Sequence, residues 1–407
     1  MPITSKHHIL QTAALMLSMP LSGMAIDIYV PSLPAVSQYF HVTQQLSQSS
    51  ISYYLVGYAL IQFIAGNISD SVGRRIPYLF GILLFIFSSL AIILTKQNIH
   101  YLLIWRLLEG VAAGMIIVPV RATIADLYSE SDYYKYANYA TLAWSVGPII
   151  APALGGYLHY LFGWQSCFYF LIGYAMVILV LYLTFVPETR AKQLQISFIT
   201  AITNYRFFIS NPEFVSGVLL QGLLYSIFIL FSVVGPFLIQ NALHYSVVDF
   251  GHIALIMGIS WFLGNLTNRV FANIDLQVKV AICLLSMFAI SLLAYLVNLK
   301  FDLNLKLIIS SSAGLLYFAS LIYPNFFSKN TKIFANLSGS SSAIAGGGNF
   351  LTSAIVGHLG ESLKVNSSLP LFRGYLLIVS VLFLAYFIQY HYASKRNKAN
   401  THTNRNK

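Results

Sequence analysis

Uncharged apolar runs recur along almost the whole of this 407-residue chain, and no other feature limits its fold as tightly. Ser47–Ile68 is almost uncharged, and Pro77–Thr95 carries no charge at all. At 1.5 Å of rise per helical residue, each run is long enough to cross the ~30 Å of hydrocarbon in a bilayer. Six runs fall at roughly 9–30, 47–68, 77–95, 101–120, 138–160 and 166–186. Six more fall at roughly 214–240, 250–272, 278–298, 304–325, 337–359 and 371–391. Hydrocarbon offers the backbone no hydrogen bonds, so each run must satisfy its own N–H and C=O groups, as a helix does. The expected fold is an all-α membrane protein with twelve transmembrane helices in two six-helix halves. The expected division is 1–186 for the first half, 187–212 for a cytoplasmic linker, 213–392 for the second half and 393–407 for a basic tail.

Hydrophobic residues make up 57% of the chain and charged residues 9%, against about 25% charged in soluble domains. The formal charge of +11 does not point to nucleic acid, because Lys and Arg fall in short gaps between apolar runs and form no basic stripe. Cys167 and Cys283 both lie inside apolar runs, which argues against a disulfide framework. The first run has no small-residue cleavage site and reads as a retained helix rather than a signal peptide. Histidines such as His159, His244 and His358 sit near run ends without metal-ligand spacing. No Gly-rich phosphate loop is present, and there is neither a serine elbow nor a paired-carboxylate arrangement. The chain is therefore expected to be no enzyme, to need no cofactor or metal, and not to draw on ATP hydrolysis.

Charge also predicts orientation. With the N-terminus inside, seventeen of the 23 Lys and Arg fall in cytoplasmic segments, five fall outside and Arg106 lies within a run. The positive-inside rule then places both termini in the cytoplasm. The tail Lys395–Lys407 is polar and basic, and is expected to be disordered near anionic lipid. The halves echo each other: Gly66-Asn67-Ile68-Ser69-Asp70 at the end of span two matches Gly264-Asn265-Leu266-Thr267-Asn268 at the end of span eight. Repeats of this kind suit a transporter whose site lies where they meet.

With Arg269, Lys279, Lys306 and Arg373 assigned to the water-facing run ends, three charged residues are left at bilayer depth: Asp27, Arg106 and Glu109. Charge at bilayer depth costs at least about 2.5 kcal/mol, so such groups usually face a polar interior or a cavity. Asp27, placed near the outer end of span one, is the candidate to load and release a proton; its plainer role is an interfacial residue capped by backbone. Arg106 and Glu109 share a face of span four and either neutralise each other or tune a proton carrier. Tyr54 and Tyr58 in span two, with Tyr225 and Phe228 in span seven, are candidates to line a cavity.

Between spans two and three stands Gly66–Arg75, GNISDSVGRR, a tight turn kept on the cytoplasmic side by Arg74 and Arg75. Gly66 and Gly73 allow close approach and unusual backbone angles, and Asp70 is placed to pair with Arg74. This G-x-I-x-D-x-x-G-R-R pattern resembles the loop signature of the major facilitator superfamily, with Ile68 for the usual Leu and Ser71 for the usual basic residue. R-L-L-E-G at Arg106–Gly110 is similar to that family's fourth-span pattern, although Glu109 is unusual there. In span five, Gly147, Pro148, Pro152, Gly155 and Gly156 would bend the helix and admit a neighbour, and their order resembles the exporter motif of twelve-helix drug:proton antiporters. D-I-Y-V-P-S-L-P, A-D-L-Y, A-P-x-L-G-G and the Ser338–Phe350 run narrow the resemblance to the Bcr/CflA group of bacterial efflux pumps.

The resemblance implies a monomer in a bacterial inner membrane that exports small amphipathic compounds against an inward flow of protons. Asp27 would take the proton from outside, Arg106 would tune it, and Gly66–Arg75 would gate the cytoplasmic side. The same fold also suits a transporter of siderophores or related metabolites, outward or inward, or a non-transporting sensor.

Overall fold

The computed structural model describes residues 5–96, 98–190, 206–334, 338–363 and 365–405. The first half holds α1 (Ser5–Asp27), α2 (Leu33–Tyr39), α3 (Gln44–Val72), α4 (Arg75–Leu94), α5 (Ile99–Leu127), α6 (Glu130–Phe162) and α7 (Ser166–Phe185). The second holds α8 (Pro212–Phe237), α9 (Val247–Val270), α10 (Leu276–Asn298), α11 (Leu305–Ile333), α12 (Ser338–Glu361) and α13 (Leu369–Arg405). Among the described residues, eleven helical segments are long and apolar enough to cross a membrane. The remaining crossing is α12, whose Gly and Ser residues lower its apolarity; it packs between α3 and α8 and exposes Ile355 and Leu359.

Caps fix the helix starts where polar residues interrupt the apolar runs. Thr43, Asn98, Asn211, Asn304 and Asp275 each accept a backbone N–H of the first turn that follows. Ser246 and Asp249 form a reciprocal capping box at the start of α9. Within the first half, α3, α4 and α5 pack together and α1 lies against α6 and α7. In the second half, α8 is enclosed by α11, α12 and α13. The two groups of helices meet along two seams, α3 against α12 and α6 against α9.

Three expectations are revised. The first span is longer than its apolar run, reaching from Ile9 to Tyr39. Pro31 and Pro34 lack an N–H and crowd the carbonyls of Asp27 and Val30, so the α-helix stops at Asp27 and re-forms as α2 after a single turn at Val30–Ser32. Asp27 therefore lies well inside the span, not near its outer end. Second, the turn expected over Gly66–Arg75 is far shorter, because α3 continues through Ser69, Asp70 and Ser71 to Val72. Third, the tail expected to be disordered continues α13 to Arg405. No Gly or Pro follows Gly374, and a formed helix extends at the cost of one residue's freedom per added bond. Side chains from Lys395 onward, and most of the expected linker (191–205), lie outside the described residues.

Candidate functional site

Asp27 is fully buried at the helix break, and both of its carboxyl oxygens lack a hydrogen-bond partner. That excludes the interfacial, backbone-capped role. The Arg106 guanidinium, Tyr54 and Tyr225 lie within electrostatic reach of it, so the acid faces both halves of the protein.

Arg106 is fully buried. Its Nη1 donates to Glu109 Oε2 at 2.5 Å and to the Ala25 carbonyl at 3.1 Å, and its Nε donates to the Ser50 carbonyl at 3.4 Å. Glu109 Oε1 accepts from Ser89 Oγ at 2.8 Å. The guanidinium carbon stands 4.6 Å from the centre of the Tyr54 ring and 5.4 Å from that of Tyr29, both within cation–π range. Arg106 and Glu109 thus form a buried, internally neutral pair, and Asp27 is the acid left without an ion-pair partner beside it.

Next to these charges an aromatic cluster crosses the junction of the halves. Phe350 from α12 meets the edge of Tyr58 from α3 at 4.6 Å between ring centres, and Tyr225 from α8 at 5.6 Å. Trp261 from α9 contacts Tyr225 and Tyr323. A small gap of about 20 Å³, enough for a single water, opens between Trp144, Pro148, Tyr225, Phe228, Gly258 and Trp261. Of the four predicted lining residues, Tyr225 and Phe228 border this gap. Tyr54 instead lies over Arg106 and donates to the Ser22 carbonyl at 2.8 Å, and Tyr58 packs on Phe350. Unpartnered polar atoms of Tyr225, Gln221, Gln62 and Asn349 are buried in the same helices that carry the cluster.

Span five carries one of the two seams between the halves. Pro148 and Pro152 lie inside a helix that stays unbroken from Glu130 to Phe162. Its two sides touch different partners: a Cβ on Gly155 would overlap the Ile28 carbonyl beside Asp27, and one on Gly156 would come within 2.9 Å of the Val247 carbonyl of α9. Small residues here let backbone meet backbone across the α1–α6–α9 stack.

The loop motif is an ion network. Gly73 has φ +96°, a conformation that favours glycine, and it alone separates α3 from the Arg74 cap of α4. Arg74 pairs with Asp70 at 2.6 Å and with Asp126, at the end of α5, at 2.9 Å. Burial opposes the Arg74 charge, but the Asp126 and Asp70 carboxylates outweigh it and raise the guanidinium's affinity for its proton. Glu188, just after α7, accepts from the backbone N–H of Arg74 and of Arg75, each at 2.9 Å. The Arg75 side chain reaches the Leu183 carbonyl. Gly66, expected to sit at a close approach, has open space around it because it lies a full turn and more before the bend. The second half repeats the arrangement with amides: Asn268 accepts from Lys279 Nζ at 3.0 Å and from Asn325 Nδ2 at 2.9 Å. Here the duplicated motif has kept its geometry and lost its acids.

Hydrogen bonds also join the halves at the end remote from Gly73. Gln48 donates to the Val233 carbonyl, Gln240 to the Pro31 carbonyl, and Tyr157 meets His252. Ser49 and Ser52 reach Glu361. Toward the Gly73 end, by contrast, α6 and α9 present exposed apolar residues such as Tyr139, Leu142, Leu263 and Leu266. Glu361 and Glu188 were not singled out by sequence, since each acts on a residue far away in the chain.

Residues 15–357 match the Major Facilitator Superfamily, which covers well over half the chain. This protein belongs to that superfamily. It is 25% identical over 354 residues to multidrug resistance protein D of Escherichia coli (strain K12), covering 86% of this chain and 88% of that one. It is 24% identical over 392 residues to a bicyclomycin resistance protein homolog of Haemophilus influenzae, covering 93% and 94%. These relatives bear out the likeness to the Bcr/CflA group. Among solved structures, a D-xylose–proton symporter superposes with a TM-score of 0.71 at 16% identity, covering 94% of this chain and 97% of that one. A bacterial Spinster homologue in an inward-facing, occupied conformation gives 0.71 at 15% identity, covering 96% and 98%. The shared fold is the twelve-helix arrangement described above.

Proposed function

We propose that this superfamily member is a proton-coupled exporter of small amphipathic compounds, working by alternating access in a bacterial inner membrane with both termini in the cytoplasm. Relatives that confer resistance by name, over nearly their full length, support the cargo class. The excess of Lys and Arg on the Gly73 side supports the orientation. In that orientation, the end where hydrogen bonds cross the seams faces outward, and the ends of α6 and α9 that carry Tyr139 and Leu266 face the cytoplasm.

The observation that carries the reading is Asp27. A carboxylate buried without a donor to either oxygen is costly, so in this state the group is best accommodated as the neutral acid. Arg106 cannot neutralise it fully while it is committed to Glu109. Release of the proton would leave a charge that must find water or a cargo, which happens only if the surrounding helices move. Proton loss and the exchange of inward and outward states are thereby linked. The energy comes from the proton gradient, without a bound cofactor, and the transporter functions as a monomer.

The test uses inverted membrane vesicles with wild type or Asp27→Asn. In energised vesicles, adding a transported compound is expected to release protons from the wild-type interior and to leave the mutant unchanged. Normal coupled export by Asp27→Asn, at equal protein level, would sink the assignment.

A further inference from the structure

Glu361 ends α12 with its side chain wholly buried, and neither the central charges nor the loop network involves it. Its Oε2 accepts from Ser49 Oγ at 2.7 Å and meets His358 Nδ1 at 2.8 Å, and its Oε1 accepts from Ser52 Oγ. Ser49 and Ser52 belong to α3 in the first half, whereas Glu361 and His358 belong to α12 in the second. The neighbouring surface of α8 is apolar, with Ile229, Leu230 and Val233 against Gly357 and Gly360 of α12. A single buried carboxyl therefore gathers the hydroxyls of the opposite half, with apolar α8 on one side and the exposed His358 on the other.

We propose that Glu361 is the positioning residue that holds the α3–α12 seam shut at the end remote from Gly73, the outer end in the orientation given above. The proposal rests on the alternating-access reading. A buried carboxyl that loses the two α3 hydroxyls before water can replace them is penalised, while one open to water is solvated again. Two arrangements are therefore favoured, seam closed and bonded or seam open and wet, and partial separation is not. A contact inside one half would stabilise both arrangements alike, but a contact between halves biases the equilibrium between them.

Spin labels on cysteines replacing Gln45 and Ser362, both exposed beside the contact, report separation of the seam in the full-length chain in lipid nanodiscs. The native cysteines are buried and free, and are replaced in the background used. Glu361→Ala is expected to raise the ratio of separated to closed label pairs by about tenfold or more, the scale of losing charge-assisted hydrogen bonds. Ser49→Ala with Ser52→Ala is expected to move the ratio the same way, and the triple variant no further, because all three share one contact. Thermal unfolding on the same samples separates gating from general damage; if Glu361→Ala unfolds, the serine variant, which removes only two hydroxyls, decides. Unchanged distances in the serine variant, or fully additive shifts, would overturn the gate. The labels need no cargo, so a failed gate is distinguishable from a failed exporter, which would show as wild-type vesicles that move no protons.

Discussion

At the scale of single residues, the centre of this protein holds two acids and one guanidinium that have divided their partners unequally. Glu109 takes the Arg106 ion pair and a serine hydroxyl, while Asp27 takes nothing. Asp27→Asn should therefore fold normally, since the amide replaces a group that accepts no hydrogen bond here, yet lose proton coupling in the vesicle assay. Glu109→Gln has the opposite signature. It takes away the carboxylate that pairs with the buried Arg106 charge, and breaking such a pair costs about 3–5 kcal/mol in soluble proteins, so a clear fall in melting temperature is expected. Replacing both partners with apolar residues, Arg106→Met with Glu109→Leu, should recover much of that stability, because removing both charges also removes their desolvation penalty. Transport separates the two roles of the pair: if it only neutralises itself, the double variant transports, and if Arg106 tunes Asp27, it does not.

At the scale of elements, the short turn between α3 and α4 is held by chain that comes from after α7. Burial works against the Glu188 charge, but the N–H groups of Arg74, Arg190 and Arg75 outweigh it and hold the carboxyl below the usual carboxylate range. A lowered value means that the contact is fully formed above the ordinary glutamate pKa of about 4.3 and is lost as pH falls through the lower folded value. A spin label at Thr189→Cys is expected to keep its mobility from pH 7 to 5 and to loosen only below that range. Glu188→Gln should loosen it at pH 7. A label equally mobile in both proteins at pH 7 would show that the linker is not docked on the turn. Such docking ties the chain just after α7 to the Arg74 network with Asp70 and Asp126.

On the scale of the whole molecule, the α3–α12 and α6–α9 seams decide what can move. Both pair one helix of the first half with one of the second, and both use small residues for close contact. A Cβ on Gly357 would stand 3.2 Å from Ser52 Oγ, close to the spacing of a disulfide. Ser52→Cys with Gly357→Cys should cross-link on oxidation and stop transport, and reduction should restore it. Continued transport by the fully cross-linked protein would mean that this seam does not part during the cycle.

Much of this architecture follows from the sequence alone, because hydrocarbon imposes one demand on every crossing. The apolar runs locate all twelve crossings, Gly73 marks the turn, and the rarity of charge isolates Asp27, Arg106 and Glu109 before any fold is known. The Asp70–Arg74 pair is also legible, being four residues apart across the turn at Gly73. Helix ends are less so: stretches with polar and charged residues, such as Ser69–Ser71, Arg121–Asp126 and Ser328–Lys332, carry α3, α5 and α11 beyond their apolar runs, where backbone bonds continue without an apolar signal. Only the tertiary structure decides which side chains lack partners and which meet across the halves. Asp27 is an orphan because Arg106 turns to Glu109, a choice between neighbours that spacing does not dictate. Ser49 and Glu361 lie 312 residues apart, and their meeting depends on how two helices are rotated and aligned, which no local pattern encodes.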